Sequence, residues 1–229
     1  MNAATKRSLF RIKICGVTNV ADALAAAEAG ADAIGLNFYA QSRRYVSPAE
    51  AAKIVAALPP AVSKIGVFVN SPVEEVRAIR ESLGLDAVQL HGDETAHHLA
   101  ALIDVPTIKA LRYGPGGLMM VYAQLMAYSQ VQAAPIAVLL DAYQPGEYGG
   151  TGQTFDWDHA AKYQLGARQP PLILAGGLTA ENVAEAIARV GPAAVDTASG
   201  VESSPGHKDA DKMRRFVTAA REAFDRFHG

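Results

Sequence analysis

The sequence has little cysteine, little net charge and no long apolar run. Cys15 is the only cysteine among 229 residues, which excludes an internal disulfide and a cysteine-based zinc site. A net charge of −2 offers no basic footprint for nucleic acid or for an anionic membrane. No apolar run approaches the roughly 18 residues of a membrane span. We therefore expect a cytoplasmic protein that binds a small molecule, with no nucleic-acid, membrane or obligatory protein partner.

Apolar residues make up half of the chain and follow a regular pattern. From residue 10 onward, eight short runs rich in β-branched residues alternate with longer, alanine-rich stretches of helical character. The predicted strands cover residues 11–14, 33–36, 64–69, 87–90, 107–111, 136–140, 172–174 and 194–196. Strict alternation predicts parallel strands joined by right-handed crossovers.

Eight strand–helix pairs in about 220 residues favour a closed barrel over an open sheet, which usually has five or six strands. The fold class predicted is α/β, a single (β/α)8 TIM barrel. We assign residues 10–229 to this barrel domain and residues 1–9 to an N-terminal extension.

Cys15 closes the first apolar run, directly before Gly16. A lone cysteine is by default a small buried apolar side chain. The carboxyl end of a first strand, however, is where parallel α/β folds carry their chemistry. Because side chains alternate along a strand, Lys13 and Cys15 are expected on one face, toward the barrel interior.

The same alternation brings further polar side chains to the carboxyl end of the barrel. They follow or close the second, fourth and sixth strands: Asn37, Gln89, His91 and Asp141. A single polar residue of this kind is more often a structural hydrogen-bonding group than a catalyst. Several together predict a catalytic mouth, because the active sites of this fold lie at that face.

Two glycine-containing loops follow the seventh and eighth strands. Gly176 and Gly177 stand directly before a predicted helix, and Ser199 and Gly200 follow the last strand. Glycines before helices are common turn formers, but exposed backbone N–H groups and a helix N-terminus also suit an anion. A pair of such loops at the end of a barrel predicts a phosphate site, and hence a phosphorylated small-molecule ligand.

Two other loops each allow two interpretations. Arg43 and Arg44, after the second strand, are either solvated surface charges or a clamp for a substrate carboxylate. Residues 142–152, which contain several glycines and two tyrosines, form either a lid over the site or a surface insertion.

The histidines do not predict a metal site. His97 and His98 are neighbours on a predicted helix and diverge by about 100°, so they do not share an ion in the usual i, i+4 manner. His91 has no second ligand at a suitable spacing. No dinucleotide or P-loop fingerprint is present. The sequence therefore predicts acid–base chemistry without a metal or a cofactor.

Six motifs occur in one order: KICGVTN at residues 13–19, QLHGDE at 89–94, LD at 140–141, GGTG and FDW within 149–157, AGGL and NV within 175–183, and SGVE at 199–202. Together they resemble the phosphoribosylanthranilate isomerases of tryptophan biosynthesis. The resemblance spans about residues 11–216.

This resemblance implies an Amadori rearrangement of N-(5-phosphoribosyl)anthranilate to 1-(2-carboxyphenylamino)-1-deoxyribulose 5-phosphate. It implies that Cys15 is the general base at C2 of the ring-opened Schiff base and that Asp141 is the general acid at the furanose ring oxygen. Arg44 is expected to pair with the anthranilate carboxylate, and backbone N–H groups of the last two loops are expected to hold the phosphate. The implied substrate-binding set is Arg44, His91, Gly176, Gly177, Ser199 and Gly200.

The chain departs from the family pattern at the phosphate loops. Ala175 and Ala198 stand where serine is frequent, which matters only if a hydroxyl rather than the backbone holds the phosphate. Lys13 has two candidate roles, namely stabilising the thiolate of Cys15 and pairing with Asp196.

Two other functions remain open. A histidine-pathway aminoaldose isomerase is similar but uses an aspartate at the first strand. A non-catalytic phosphosugar-binding protein needs neither Cys15 nor Asp141.

Overall fold

The computed structural model describes residues 10–113, 117–142, 157–165 and 169–227. The extension proposed at residues 1–9 lies outside the described residues. So does the lid proposed at residues 142–152, apart from its first residue.

Eight parallel strands close into a barrel in which each strand pairs with the next and the last pairs with the first. The strands are β1 Ile12–Cys15, β2 Ala33–Asn37, β3 Ser63–Phe68, β4 Ala87–Leu90, β5 Thr107–Tyr113, β6 Ala137–Ala142, β7 Leu172–Leu174 and β8 Ala194–Thr197. The predicted barrel is confirmed, and each predicted strand agrees with the structure to within two residues at either end.

Helices surround the barrel. They are α1 Val20–Glu28, α2 Pro48–Ala57, α3 Val73–Leu83, α4 Ala96–Ala100, α5 Gly117–Gln130, α6 Trp157–Ala161, α7 Val183–Val190 and α8 Ala210–Phe227. The side chains of Asn19 and Ser47 accept hydrogen bonds from backbone N–H groups of α1 and α2, as N-caps do. No helix among the described residues is both long and apolar enough to cross a membrane.

The start of α7 differs from the sequence-based expectation. The pattern predicts a helix from Thr179, but α7 begins at Val183. The cause is Asn182, whose side chain accepts from the backbone N–H of Thr179 at 2.8 Å and donates to the carbonyl of Gly177 at 3.0 Å. Side chains of this type compete with helical hydrogen bonds and fold the chain into a turn instead. This turn sits beside the predicted phosphate loop.

The alternation of side chains along the strands separates two cores. Residues such as Ile65, Leu139 and Ile173 fill the barrel interior, while a larger apolar cluster lies between the strands and the helices. The interior cluster lies mostly toward the amino ends of the strands. At their carboxyl ends the interior positions are polar, which leaves room for a site.

A short antiparallel hairpin, which the sequence analysis did not predict, lies between β8 and α8. Its strands are β9 Glu202–Ser204 and β10 His207–Lys208. The turn between them approaches the loop after β2 so closely that a side chain on Gly206 would meet the carbonyl oxygen of Arg43 at 2.9 Å. Thr18 also donates to the Gly206 carbonyl at 2.7 Å. The hairpin therefore packs against the loops after β1 and β2.

Candidate active site

A pocket opens at the carboxyl ends of the strands. The residues that line it are Cys15, Gly16, Asn37, Ser42, Arg44, Val67, Val69, His91, Asp141, residues 175–178 and residues 196–199. The structure thus brings together seven of the eight predicted site residues. The eighth, Gly200, directly follows Ser199.

Cys15 faces the pocket from the last position of β1, opposite Gly35 on β2. A Cβ atom at position 35 would lie 2.7 Å from the Cys15 Sγ and 3.2 Å from the Lys13 Cε. Both side chains therefore lie on the interior face of the barrel, as the alternation predicted. Gly35 provides the space that the thiol and the lysine stem occupy.

Lys13 and Asp196 are opposite each other on β1 and β8, and their Nζ and Oδ2 atoms are 2.9 Å apart. Both side chains are almost fully buried. Burial lowers the pKa of Lys13, but the attraction of Asp196 and Cys15 outweighs it, and the pKa is raised. The ion pair considered in the sequence analysis is therefore present, and Lys13 also acts electrostatically on the thiol.

Burial also governs the thiol and its neighbouring carboxylate. It raises the pKa of Cys15 above its ordinary value, although the positive charge of Lys13 pulls it down. Likewise burial raises the pKa of Asp196 more than Lys13 lowers it. The environment thus holds the thiol protonated at neutral pH, with a cation beside it that favours the thiolate.

Asp141 lies on the interior side of β6 and is almost fully buried. Its Oδ2 atom is 3.3 Å from His91 Nε2. The other ring nitrogen of His91 is 2.9 Å from the side-chain amide of Gln89, which is completely buried in β4. The three side chains form a row from the barrel interior to the pocket, so the orientation of His91 is fixed on both sides.

Arg44 reaches the pocket from the loop after β2. Its stem lies over Gly16, where a Cβ atom would collide with it. Its Nε and Nη2 atoms donate to the two carboxylate oxygens of Glu202, each at 2.7 Å. The loop itself is built by Asn37 and Ser42, because the Ser42 hydroxyl accepts from the Asn37 amide and from the Arg44 backbone N–H.

The two glycine loops, after β7 and β8, contact each other at the pocket. Gly176 and Gly177 have φ angles of 86° and 64°, a backbone region that other residues rarely adopt. A Cβ on Gly200 would collide with the Leu178 carbonyl oxygen, and the Thr197 hydroxyl donates to that same oxygen at 2.7 Å. Thr197 thus ties the two loops together.

A second buried ion pair supports the loop after β4. Lys109 of β5 donates to Glu94 at 2.7 Å and to the carbonyls of Leu90 and Gly92. Glu94 in turn accepts hydrogen bonds from the backbone N–H groups of Gly92 and Asn70. This arrangement fixes the loop that begins with His91. In the sequence it appears only as an acidic residue in the QLHGDE motif.

Within the described ranges, no three His, Cys, Asp or Glu side chains are placed to hold a metal ion. What the pocket offers is a thiol and a carboxyl group for proton transfer, the guanidinium of Arg44, and the backbone of the loops after β7 and β8. This arrangement suits a ligand that carries two anionic groups.

Comparison with known proteins agrees with this geometry. The profile of the family N-(5'-phosphoribosyl)anthranilate (PRA) isomerase matches residues 12–219. The chain belongs to this family. It is 46% identical over 215 residues to the N-(5'-phosphoribosyl)anthranilate isomerase of Geobacter sp. strain M21, which covers 93% of this chain and 99% of that protein.

Solved structures give the same result. The phosphoribosylanthranilate isomerase of Thermotoga maritima is 39% identical, with a TM-score of 0.82, 93% of this chain covered and 99% of that chain. Another isomerase structure, in complex with reduced 1-(o-carboxyphenylamino)-1-deoxyribulose 5-phosphate, is 38% identical with a TM-score of 0.79, covering 93% and 99% of the two chains.

The function predicted from the sequence is therefore confirmed. The enzyme is an aldose–ketose isomerase of tryptophan biosynthesis that acts on a phosphorylated small molecule. Of the three functions considered, the histidine-pathway isomerase and the non-catalytic binding protein are set aside. The individual roles of the pocket residues are a separate question.

Proposed function

We propose that this pocket carries out the Amadori rearrangement with Cys15 as general base and Asp141 as general acid. Asp141 protonates the furanose ring oxygen as the ring opens to a Schiff base. Cys15 then removes the proton from C2 of the ribose, and the electron pair moves toward the nitrogen to give the enolamine, which tautomerises to the aminoketose. The observation that carries the proposal is that a thiol and a carboxyl group from β1 and β6 face one pocket.

The environment of Cys15 supports its role as a base. A raised pKa makes the thiolate scarce at neutral pH but makes it a stronger proton acceptor. Lys13, buried beside it, stabilises the anion when it forms. We therefore expect kcat/KM to rise with pH from neutrality toward the pKa of the thiol.

Two parts of the pocket suit the two anionic groups of the substrate. We assign the anthranilate carboxylate to Arg44, because the planar guanidinium binds a carboxylate with two parallel hydrogen bonds. We assign the phosphate to backbone N–H groups at Gly176, Gly177, Ser199 and Gly200, where the glycine conformations and the turn before α7 support an anion site. His91, beside Asp141, is assigned as a further substrate contact.

Further assignments follow from composition rather than from the site. We propose that the enzyme works in the cytoplasm, where a single unpaired cysteine stays reduced. We also propose that it needs no metal, cofactor, nucleic acid or obligatory protein partner for turnover.

The test is to follow the loss of fluorescence of N-(5'-phosphoribosyl)anthranilate with the wild-type enzyme, Cys15→Ser and Asp141→Asn. Each substitution is expected to lower kcat by about 10²- to 10⁴-fold, the usual contribution of one acid–base group. Asp104→Asn, which alters an exposed carboxylate paired with Arg77 on the outside of the barrel, is the matched control. Wild-type turnover by either site variant would refute the proposed mechanism.

A further inference from the structure

The head group of Arg44, which lines the pocket, is held by a carboxylate of the hairpin. Glu202, the first residue of β9, accepts from Nε and Nη2 of the guanidinium in a two-bond arrangement. The Glu202 side chain is 4% exposed and that of Arg44 is 14% exposed. Arginine–carboxylate pairs of this geometry have a fixed plane as well as a favourable energy. The plane of the Arg44 guanidinium is therefore set by Glu202.

Glu202 is itself anchored from three sides. Its Oε1 atom accepts from Lys208 Nζ at 2.9 Å and from the backbone N–H of Gly206 at 3.3 Å. Lys212 of α8 donates to its backbone carbonyl at 2.8 Å. Lys208 also donates to the carbonyl of Ala198, next to the predicted phosphate loop. The hairpin thus contacts both Arg44 and the loop after β8.

The pairing with Glu202 uses one edge of the guanidinium of Arg44, a residue that lines the pocket. Glu202 takes the Nε hydrogen and one Nη2 hydrogen, whereas Nη1 and the second Nη2 hydrogen form the opposite edge. That edge is able to meet a second carboxylate in the same two-bond manner. Lys208 adds a second positive charge, so the trio of Arg44, Glu202 and Lys208 remains net positive toward an anion.

We propose that Glu202 is a positioning residue that orients Arg44 for the carboxylate of the anthranilate ring, with Lys208 fixing Glu202 in turn. The inference rests on the assignment of Arg44 to that carboxylate. Glu202 does not touch the substrate and acts only through the arginine.

The alternative role for Glu202 is structural, as an anchor of the hairpin alone. The two roles differ in what they predict for ligands. A hairpin anchor affects every ligand of the pocket alike, since the hairpin also contacts the phosphate side. A positioning residue affects only ligands that carry the aromatic carboxylate, and its effect disappears when Arg44 is absent.

The experiment measures dissociation constants of two ligands by titration calorimetry. One is reduced 1-(o-carboxyphenylamino)-1-deoxyribulose 5-phosphate, which carries both anionic groups, and the other is ribose 5-phosphate, which lacks the carboxylate. The variants are Glu202→Gln, Arg44→Ala, the double variant of these two and, as matched control, Glu185→Gln. Glu185 pairs with Arg189 on the exposed face of α7.

We expect Glu202→Gln to raise the dissociation constant of the reduced ligand by about tenfold or more and to change that of ribose 5-phosphate by less than about twofold. In turnover, KM is expected to rise while kcat changes little, since a uniform binding contact is lost. Adding Glu202→Gln to Arg44→Ala is expected to cause no further loss. Glu185→Gln is expected to behave as the wild type.

Four results would overturn the inference. Equal weakening of both ligands, or additive losses in the double variant, would assign Glu202 to hairpin stability instead. If Arg44→Ala weakens binding of the reduced ligand and Glu202→Gln does not, the role of Glu202 is contradicted and the proposed role of Arg44 stands. If Arg44→Ala leaves this affinity unchanged, both roles are contradicted.

Glu202→Gln leaves Lys208 buried without its carboxylate and can therefore impair folding. The same titrations are then made with Glu202→Gln combined with Lys208→Met, which removes the unpaired cation. Lys208→Met alone also loses the bond to the Ala198 carbonyl and is therefore the reference, and the expected and contradicting results apply to what Glu202→Gln adds to it.

Discussion

Two buried lysine–carboxylate pairs in this barrel look alike in isolation and differ in their surroundings. Lys13 and Asp196 face the interior below Cys15, with an Nζ–Oδ2 distance of 2.9 Å. Lys109 lies on β5 and Glu94 in the loop after β4, with an Nζ–Oε2 distance of 2.7 Å. In both pairs the two charges lie almost entirely away from solvent. The difference is in the hydrogen bonds.

Lys109 and Glu94 are well supplied with partners. Besides each other, the lysine has two carbonyl acceptors, and the carboxylate has backbone N–H donors from Asn70 and Gly92. Burial raises the pKa of Glu94, but Lys109 and the backbone N–H of Asn70 lower it by more, so the pKa is depressed overall. A pair satisfied in this way fixes the loop around it.

Lys13 and Asp196 have fewer partners. Among the described residues, Asp196 Oδ1 has no hydrogen-bond partner, and burial raises the pKa of this carboxyl group. The charge of Lys13 is instead shared with the Cys15 thiol. A buried ion pair whose hydrogen-bonding groups all have partners therefore holds its loop in place. A pair with fewer hydrogen bonds still interacts with a neighbouring reactive group.

The largest expected effect comes from breaking each pair. Lys13→Met and Lys109→Met each leave a carboxylate buried without its cation, so we expect each to lower the free energy of unfolding by about 3–5 kcal/mol. Urea denaturation at neutral pH measures this loss. If either substitution leaves the stability unchanged, the corresponding pair is not an ion pair in solution.

The same two variants separate the roles of the pairs in activity. Without Lys13 the thiolate loses its neighbouring cation, so the rising limb of the kcat/KM profile of Lys13→Met is expected to move to higher pH. Lys109→Met is expected to keep the position of that limb. A shift of equal size in both would contradict the assignment of Lys13 to the thiol.

The space beside Lys13 gives the next test. Gly35→Ala adds a methyl group 2.7 Å from the Cys15 Sγ, so we expect a stability loss of about 1–3 kcal/mol together with a lower kcat. Gly66→Ala on β3 is the matched control, since its Cβ would crowd Leu85 at 2.7 Å, away from the pocket. A comparable stability loss with unchanged kcat is expected there, and a drop in kcat in both variants would count against a specific role for Gly35.

The acid dependence of stability is expected to have opposite signs in the two pairs. The depressed pKa of Glu94 stabilises the fold above its ordinary value of 4.5, and this contribution is lost as the pH falls. The raised pKa of Asp196 stabilises the fold below its ordinary value of 3.8, and this contribution is lost as the pH rises through the raised value. Each proton contributes a slope of at most about 1.4 kcal/mol per pH unit.

Urea unfolding measured from about pH 3 to about pH 7 gives these slopes for Glu94→Gln and Asp196→Asn. Glu94→Gln is expected to remove part of the stability loss toward acid. Asp196→Asn is expected to remove part of the loss toward neutrality. Changes of the same sign in the two variants would show that the pairs do not differ in the manner described.

The smallest expected effect concerns a neutral hydrogen bond on the strand that carries Lys109. Thr107 is buried at the start of β5, and its hydroxyl donates to the Val105 carbonyl at 2.9 Å. Thr107→Val is expected to cost about 1 kcal/mol of stability without changing kcat. A loss as large as that of Lys109→Met would mean that charge adds nothing to the buried pair.

The fold was predictable because its signals are local. Each strand is a short run of apolar residues bounded by turn residues, and each run lies within two residues of its predicted position. The interior positions of Lys13 and Cys15 followed from alternation alone. The hairpin of β9 and β10 was missed because its strands have only three and two residues and no apolar run.

Much of the candidate site was also accessible from the sequence. Strand-end position indicated Asp141 and His91, and glycine placement indicated the phosphate loops. The start of α7 was misplaced because Asn182 folds residues 179–182 into a turn, a side-chain effect that apolar periodicity does not report.

The sequence by itself determined the order of strands and helices and the strand ends that carry polar groups, including those at which Cys15 and Asp141 stand. Only the tertiary structure decided which charges meet. Arg44 and Glu202 are 158 residues apart in the chain, and Lys13 meets Asp196 only because β1 closes the barrel against β8. Such pairings depend on closure and register, which no local pattern encodes.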